Sequence, residues 1–223
     1  LNRIAESLRL DHRHYNSSLI AFDALLGYPV PNQERNGLCY LHTEGDLWGA
    51  ESVFLDEISR CRPEHQNKLF SIIYEKRVQG LKLEKLRYRW AAMNPPVSLE
   101  SLEEQSETYQ GSLPLDPALA DRFPYIVELP DFDKLGTSIR LKIIESGGSY
   151  SGDGSEIKRL ITCTERFRKK LGASQLKWCF GYVNALVLLL KKAELPISGR
   201  RAVTLAQNIT WIYSASQALG ARD

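Results

Sequence analysis

The feature that most constrains this sequence is the stretch SVFLDEISR, residues 52 to 60, in which an apolar run ends in two adjacent carboxylates. A continuous apolar run of this kind is typical of a parallel strand that is buried on both faces. Neighbouring carboxylates repel each other, so Asp56 and Glu57 indicate a site that uses both charges. The stretch predicts an α/β fold with ligand-binding groups at the carboxyl end of a sheet.

The chain is predicted to contain two regions. Residues 1–136 alternate short apolar runs with helical patterns, which predicts an α/β core. The segments LRYRWAAMNPP and RFPYIVELP are predicted to form two further strands of that core. Residues 137–223 show helical periodicity, and residues 175–193 are apolar nearly all round, which predicts a buried central helix.

Composition excludes some classes of protein. A net charge of +2 is too balanced to argue for nucleic acid or a membrane surface as the partner. No apolar run reaches the roughly 20 residues of a membrane span. The cysteine usage leads to the expectation of a cytoplasmic protein. His12 and His14 have no third ligand nearby and are interpreted as a solvated pair. The four cysteines lack zinc-site spacing and are interpreted as reduced thiols: Cys39, Cys61, Cys163 and Cys179.

Three further positions could contribute to a phosphoryl-transfer site. Asn94 ends an apolar strand, where an uncharged amide can hold an attacking water. Arg122 follows the helix-like PALAD, and a guanidinium can stabilise a transferring phosphoryl group. Arg200 and Arg201 fall in the first turn of a helix capped by Ser198, where cations oppose the helix dipole unless an anion lies opposite. Taken singly, these features also fit a turn, a surface ion pair and solvated arginines, just as the carboxylate pair fits a simple strand end.

Taken in order, FLDEISR, AAMNPP, LDPALADRF and SGRRA resemble the motifs of AAA+ ATPases, specifically the MoxR-like and dynein-related group. The resemblance covers essentially the whole chain. It implies a P-loop NTPase-type parallel-sheet core over residues 1–136, incomplete at its N-terminus, and an α-helical lid over residues 137–223. It also implies that ATP and Mg²⁺ are bound, and that hydrolysis drives the remodelling of a partner protein or complex.

The resemblance assigns roles to the candidate residues. Asp56 would be the Walker B residue that holds Mg²⁺, Glu57 the catalytic base and Asn94 the sensor 1 residue. Arg122 would be the arginine finger, which reaches the nucleotide of a neighbouring subunit in a homo-oligomeric ring, expected to be a hexamer. The nucleotide-binding sensor 2 residue would be Arg200, with Arg201 as the alternative.

The chain departs from the family pattern at one important motif, since the phosphate-binding loop G-x-x-x-x-G-K-[ST] is absent. The opening LNRIAESLRL has helical spacing from its first residue, so the loop is expected just upstream of Leu1. Residues 17–50 are long enough for an insertion found in relatives. The segment YEKRVQGLKLEKLRYRW is predicted to form a hairpin around Gly80.

Two alternatives to an ATPase remain open. A non-hydrolysing scaffold or ring module would bind partners through the same fold without turnover. A nucleic-acid motor would use the basic hairpin, where Arg77, Lys82 and Arg89 accompany Tyr88. Against the motor stand the near-neutral net charge and the acidic segment SLESLEEQSE.

Overall fold

A computed structural model describes residues 1–78, 80–94, 115–148, 154–195 and 197–220. The chain forms two compact units, Leu1–Phe123 and Pro124–Asp223. The first unit contains the strands and the second is helical. The assignment of residues 1–136 to a core domain and 137–223 to a lid remains a prediction.

A three-stranded parallel sheet organises the first unit. Its strands are β1 (His12–Asn16), β4 (Ser52–Asp56) and β7 (Tyr88–Ala91), in the order β1-β4-β7. The apolar run of SVFLD is therefore the central strand, as its composition predicts. Val53 is 0% exposed and Leu55 is 1% exposed, because these side chains point into the core from one face of β4.

The opposite face of the sheet is polar and aromatic. Because side chains alternate along a strand, His14 of β1, Phe54 of β4 and Trp90 of β7 lie side by side in register on this face. Asn16 is in register with Asp56 at the carboxyl end of the same row. The sheet thus separates an apolar core from a face that can hold polar groups.

The remaining elements of the first unit surround this sheet. Its helices are α1 (Asn2–Leu8), α2 (Phe22–Leu26), α3 (Pro63–Phe70) and α4 (Pro117–Ala120). A short 3₁₀ turn covers Ile58–Arg60, and a π-helical turn at Ser71–Glu75 extends α3. Two antiparallel hairpins complete it, β2 (Tyr28–Pro31) with β3 (Leu38–Leu41), and β5 (Arg77–Val78) with β6 (Leu81–Lys82).

The hairpin predicted around Gly80 is confirmed by the pairing of β5 with β6. Gly80 has a φ of +83°, a left-handed conformation in which a residue without a Cβ is unstrained. Residues 17–50 hold α2 and the β2–β3 hairpin. Their role as an insertion of the family remains a prediction.

A single hydrophobic cluster fills the first unit. It brings side chains of the sheet together with those of the flanking helices and loops. Its fully buried members include Leu25, Leu47, Val53, Leu55, Ile58, Leu69, Ile72, Leu86 and Leu119. Since Leu119 belongs to α4, the segment that carries Arg122 is anchored in this core.

The regular elements described in the second unit are helices. These are α5 (Thr137–Glu145), α6 (Ser155–Lys169), α7 (Ala173–Lys192) and α8 (Gly199–Gly220), preceded by a 3₁₀ turn at Phe132–Lys134. Helix α8 packs against both α6 and α7. The predicted cap of α8 is confirmed, because the hydroxyl of Ser198 accepts a hydrogen bond of 3.0 Å from the amide of Arg201.

Two expectations for this unit are wrong. Helix α7 is not a buried central helix, since only Cys179 and Val183 are buried and Trp178 is 69% exposed. An apolar composition shows that a helix can be buried by neighbouring elements, but packing decides which of its side chains are buried. Residues 124–130, all of them described, form no strand either, because a strand needs a hydrogen-bonded neighbour; Ile126 is 73% exposed there.

One helix among the described residues, α7, is long and apolar enough to cross a membrane. This is weak evidence for a membrane span, because helices in the core of soluble proteins also have such a length and composition. A cytoplasmic location remains a prediction.

Candidate active site

The carboxylate pair lies at the carboxyl end of the central strand. Asp56 is the last residue of β4 and Glu57 follows it with φ 51° and ψ 42°. Left-handed backbone is uncommon for a residue with a Cβ, and such strain is frequently found at functional sites. The turn of the backbone at Glu57 separates its side chain from that of Asp56, so the two carboxylates contact different neighbours.

The Glu57 carboxylate is held by three side chains. Its Oε2 accepts hydrogen bonds from Asn16 Nδ2 at 3.4 Å and from Ser18 Oγ at 3.5 Å. Its Oε1 lies 3.5 Å from Arg60 Nη1. Asn16 and Ser18 come from the end of β1 and the residues after it, so the neighbouring strand positions this carboxylate.

The Asp56 carboxylate has two distinct contacts. Its Oδ1 accepts a hydrogen bond of 2.9 Å from the amide of Glu57, and its Oδ2 lies 3.6 Å from His14 Nε2. The side chain is 41% exposed, which leaves room for a hydrated ion. Among the residues that the structure describes, no group of three or more His, Cys, Asp or Glu side chains could hold a metal. One exposed carboxylate fits Mg²⁺, which usually takes one or two carboxylates and completes its shell with water and phosphate oxygens.

Asn94 lies just beyond β7 on the same edge of the sheet. The amide of Ala92 donates to Leu55 at 3.0 Å, and the carbonyl of Ala92 accepts from Ile58 at 3.0 Å. These bonds keep the chain after β7 beside the end of β4. Asn94, two residues further on, is exposed and is part of the edge that carries Asp56.

Arg122 follows α4, whose first turn is capped by Asp116 through a hydrogen bond of 2.6 Å from the amide of Ala118. The Arg122 guanidinium lies 4.3 Å from the centre of the Phe70 ring and donates to the carbonyl of Ala118. The described contacts of this side chain are thus cation–π and main-chain contacts within the first unit.

Arg200 and Arg201 lie in the first turn of α8, in the second unit. The first of them is exposed and the second is half-buried. Asp56, Glu57 and Asn94 thus follow the carboxyl ends of two neighbouring parallel strands, and Arg122 belongs to the same unit.

Sequence patterns missed several residues that contact the carboxylates. Asn16, Ser18 and His14 lie on or beside β1, whose sequence HRHYN has no recognisable motif. The interpretation of His12 and His14 as a solvated pair holds for His14, which is exposed, and fails for His12, which is half-buried. His12 donates or accepts hydrogen bonds at both ring nitrogens, and burial, followed by the nearby charge of His14, lowers its pKa. Alternation along a strand next to SVFLD could have indicated that these side chains share a face.

Comparison with known proteins supports the fold and little more. No protein-family model matches the chain, and no curated protein matches it. A solved structure from Cytophaga hutchinsonii, described as a "putative ATPase", is similar over 97% of this chain with a TM-score of 0.61 and 19% sequence identity.

The chain shares the fold of this Cytophaga protein, and its parallel three-stranded sheet with helices agrees with the predicted α/β class. The chain spans 66% of the length of the Cytophaga protein. The similarity between the two structures therefore shows a shared fold and does not show the activity of the whole protein.

Proposed function

We propose that this chain carries part of the nucleotide site of a MoxR-like AAA+ ATPase, which couples ATP hydrolysis to the remodelling of a partner protein or complex. The observation that carries the proposal is the carboxylate pair at the carboxyl end of the central parallel strand, with Glu57 in left-handed backbone. Ligands bind at this edge in open α/β sheets, and phosphoryl transfer can use one carboxylate for the metal and another for the water.

In this proposal Glu57 is the general base. Its carboxylate would take a proton from the water that attacks the γ-phosphate. Asn16 and Ser18 contact one oxygen of Glu57 at 3.4 and 3.5 Å. These contacts restrain the orientation of the carboxylate toward the attacking water. Asn94, on the same edge, would hold that water through its amide.

Asp56 would hold Mg²⁺, which when bound neutralises charge on the phosphate oxygens. The 223 residues contain no G-x-x-x-x-G-K-[ST] loop, so the proposal concerns the full-length protein. We expect the phosphate-binding loop to be supplied outside this sequence, with Arg200 or Arg201 contacting the nucleotide from α8.

Arg122 would act across a subunit boundary of a homo-oligomeric ring, expected to be a hexamer. A guanidinium supplied in trans stabilises the charge of the transferring phosphoryl group. To reach a neighbouring nucleotide, Arg122 must leave both the Phe70 ring and the carbonyl of Ala118.

The nucleic-acid motor is not favoured by the hairpin. Arg89 Nε donates a hydrogen bond of 2.7 Å to the carbonyl of Ile73, and burial lowers the pKa of this arginine. Arg77 Nη1 donates to the carbonyl of Gly80 at 2.6 Å. These guanidinium groups are engaged by the protein's own main chain.

Substitution of Glu57 tests the proposal directly. In the full-length protein, Glu57→Gln should reduce phosphate release about a hundredfold or more, because the amide cannot accept the proton. Nucleotide binding, measured with a fluorescent ATP analogue, should persist. Glu64→Gln, an equivalent change at an exposed position of α3, should leave hydrolysis unchanged. Equal turnover in the Glu57 variant and the wild type would refute the assignment.

A further inference from the structure

A chain of polar contacts crosses the sheet and ends at the Asp56 carboxylate. It begins at β7, where Trp90 Nε1 donates to Ser52 Oγ at 3.2 Å. Ser52 is 0% exposed, and its Oγ also lies 3.1 Å from His12 Nδ1 on the neighbouring strand. Three strands therefore contribute one side chain each to the first part of this chain.

The second part runs through helix α1. His12 Nε2 lies 3.1 Å from Asn2 Oδ1, and Asn2 Nδ2 lies 2.9 Å from His14 Nδ1. The other nitrogen of that ring, His14 Nε2, faces Asp56 Oδ2 at 3.6 Å. The amide of Asn2 thus links two histidines that are separated by one residue on β1.

The chemistry of the groups sets the direction of these hydrogen bonds. An indole N–H can only donate, so Ser52 accepts from Trp90. Ser52 is buried, and of its described contacts only His12 Nδ1 can accept its hydroxyl proton. His12 then carries its proton on Nε2 and donates to the side-chain oxygen Oδ1 of Asn2. Burial lowers the pKa of His12, which favours the neutral ring that this arrangement needs.

The same logic assigns the proton of His14. The Asn2 amide group donates to His14 Nδ1, so a neutral His14 ring carries its proton on Nε2. That N–H is directed at Asp56 Oδ2. Stacking of the ring on Phe54, with centroids 4.7 Å apart, restrains its orientation.

We propose that Asn2, His12, Ser52 and Trp90 are positioning residues that hold His14 with its Nε2–H toward Asp56. The Asp56 carboxylate is then oriented from both sides, by the amide of Glu57 at Oδ1 and by His14 at Oδ2. The distance of 3.6 Å allows a charge–dipole attraction and exceeds the length of a direct hydrogen bond. This inference rests on the proposed function, in which Asp56 holds the metal.

Nitrogen-15 NMR of the histidine rings tests the proton positions without any nucleotide. The four histidines of these 223 residues can be assigned in the spectrum of full-length protein with labelled histidine by single His→Gln substitutions, because each substitution removes the signals of one ring. Spectra recorded under alkaline conditions report which nitrogen of each neutral ring carries the proton. His12 and His14 should be protonated on Nε2, whereas His42 should be protonated on Nδ1, which lies 2.9 Å from an Asp46 carboxylate oxygen.

Substitutions along the chain of contacts sharpen the test. Asn2→Leu removes the linking amide, keeps the number and branching of the side-chain heavy atoms, and should give His14 a mixture of both tautomers. Trp90→Phe should shift the His12 signals, with a smaller change at His14. Trp48→Phe is the matched control, because its indole donates to the carbonyl of Leu26 at 2.8 Å and should leave both rings unchanged. Protonation of wild-type His14 on Nδ1, or no response to Asn2→Leu, would overturn the proposal.

Hydrolysis by the full-length protein tests whether the contacts serve the site. Asn2→Leu should lower kcat about tenfold and raise the Mg²⁺ concentration needed for half-maximal rate, as expected when a partner of a metal ligand is lost. Unchanged hydrolysis with an altered His14 tautomer would refute the positioning role. If Glu57→Gln leaves turnover intact while the tautomers are as expected, the proposed function fails and the chain of contacts stands.

Discussion

The two units of this protein use apolar sequence differently. In the first, Leu69 of α3 is 1% exposed within a cluster that the sheet, its flanking helices and the connecting loops all contribute to. In the second, Leu189 of α7 is 61% exposed, although its helix is the most apolar segment of the chain. The comparison teaches that an apolar run reports a capacity for burial, and that the neighbouring elements decide whether that capacity is used.

Matched leucine truncations should show the largest difference between the units. Leu69→Ala leaves a cavity in the cluster and should lower the free energy of unfolding by about 2–5 kcal/mol. Leu189→Ala, also in a helix, should change it by less than about 0.5 kcal/mol, because its side chain is already in contact with solvent. Urea unfolding followed by tryptophan fluorescence measures both. Equal losses would show that α7 is covered in solution, for instance by another subunit.

Buried thiols offer a second comparison of the units. Cys61 of the first unit is 1% exposed and burial raises its pKa to about 11, while Cys179 of the second is 3% exposed with a pKa also raised by burial. Iodoacetamide should modify exposed Cys39 first, then Cys179, and Cys61 last, since the helical unit has fewer buried contacts to break. Peptide mass spectrometry gives the order. Modification of Cys61 before Cys179 would show that the first unit opens locally more readily than the second.

The Cys61 thiol also makes the first unit sensitive to alkali. An unfolded chain loses this proton near the ordinary value of 9.0, but the folded chain keeps it to about 11. The unfolded state therefore binds fewer protons in that window, so stability falls as pH rises from 9 to 11. Cys61→Ala should remove this part of the pH dependence.

The smallest effect is expected in the segment that was predicted to be a strand. Ile126 is 73% exposed, so Ile126→Thr should change the free energy of unfolding by less than about 0.5 kcal/mol. Val53→Thr, a polar substitution in the central strand, places an extra hydroxyl at a position 0% exposed and should cost about 1–3 kcal/mol. Thermal unfolding distinguishes these outcomes, and a large loss from the Ile126 variant would indicate that the segment is paired in solution.

Much of the site could be predicted from local sequence. The apolar run before Asp56 and Glu57 predicts a strand that ends at these carboxylates, and LRYRWAAMNPP predicts a further strand, which the structure has at Tyr88–Ala91. The cap that places Arg201 in the first turn of α8 is equally local, because it needs only Ser198 three residues earlier. Such features depend on neighbours in sequence, which is why pattern reasoning finds them.

The groups that hold the carboxylates could not be predicted in this way. Asn16 reaches Glu57, and Asn2 links His12 to His14, only because β1 pairs with β4 in one register and α1 lies against β1. A shift of one residue in that register would turn every one of these β1 side chains to the other face.

Composition and spacing by themselves determined the central strand, its terminal carboxylates, the helical periodicity of residues 137–223 and the hairpin around Gly80. Only the tertiary structure decided that α7 stays largely exposed, that residues 124–130 form no strand and that a tryptophan on β7 connects to Asp56 through α1. The physical reason is that strand formation and burial are properties of pairs of elements, whereas periodicity and capping belong to a single segment.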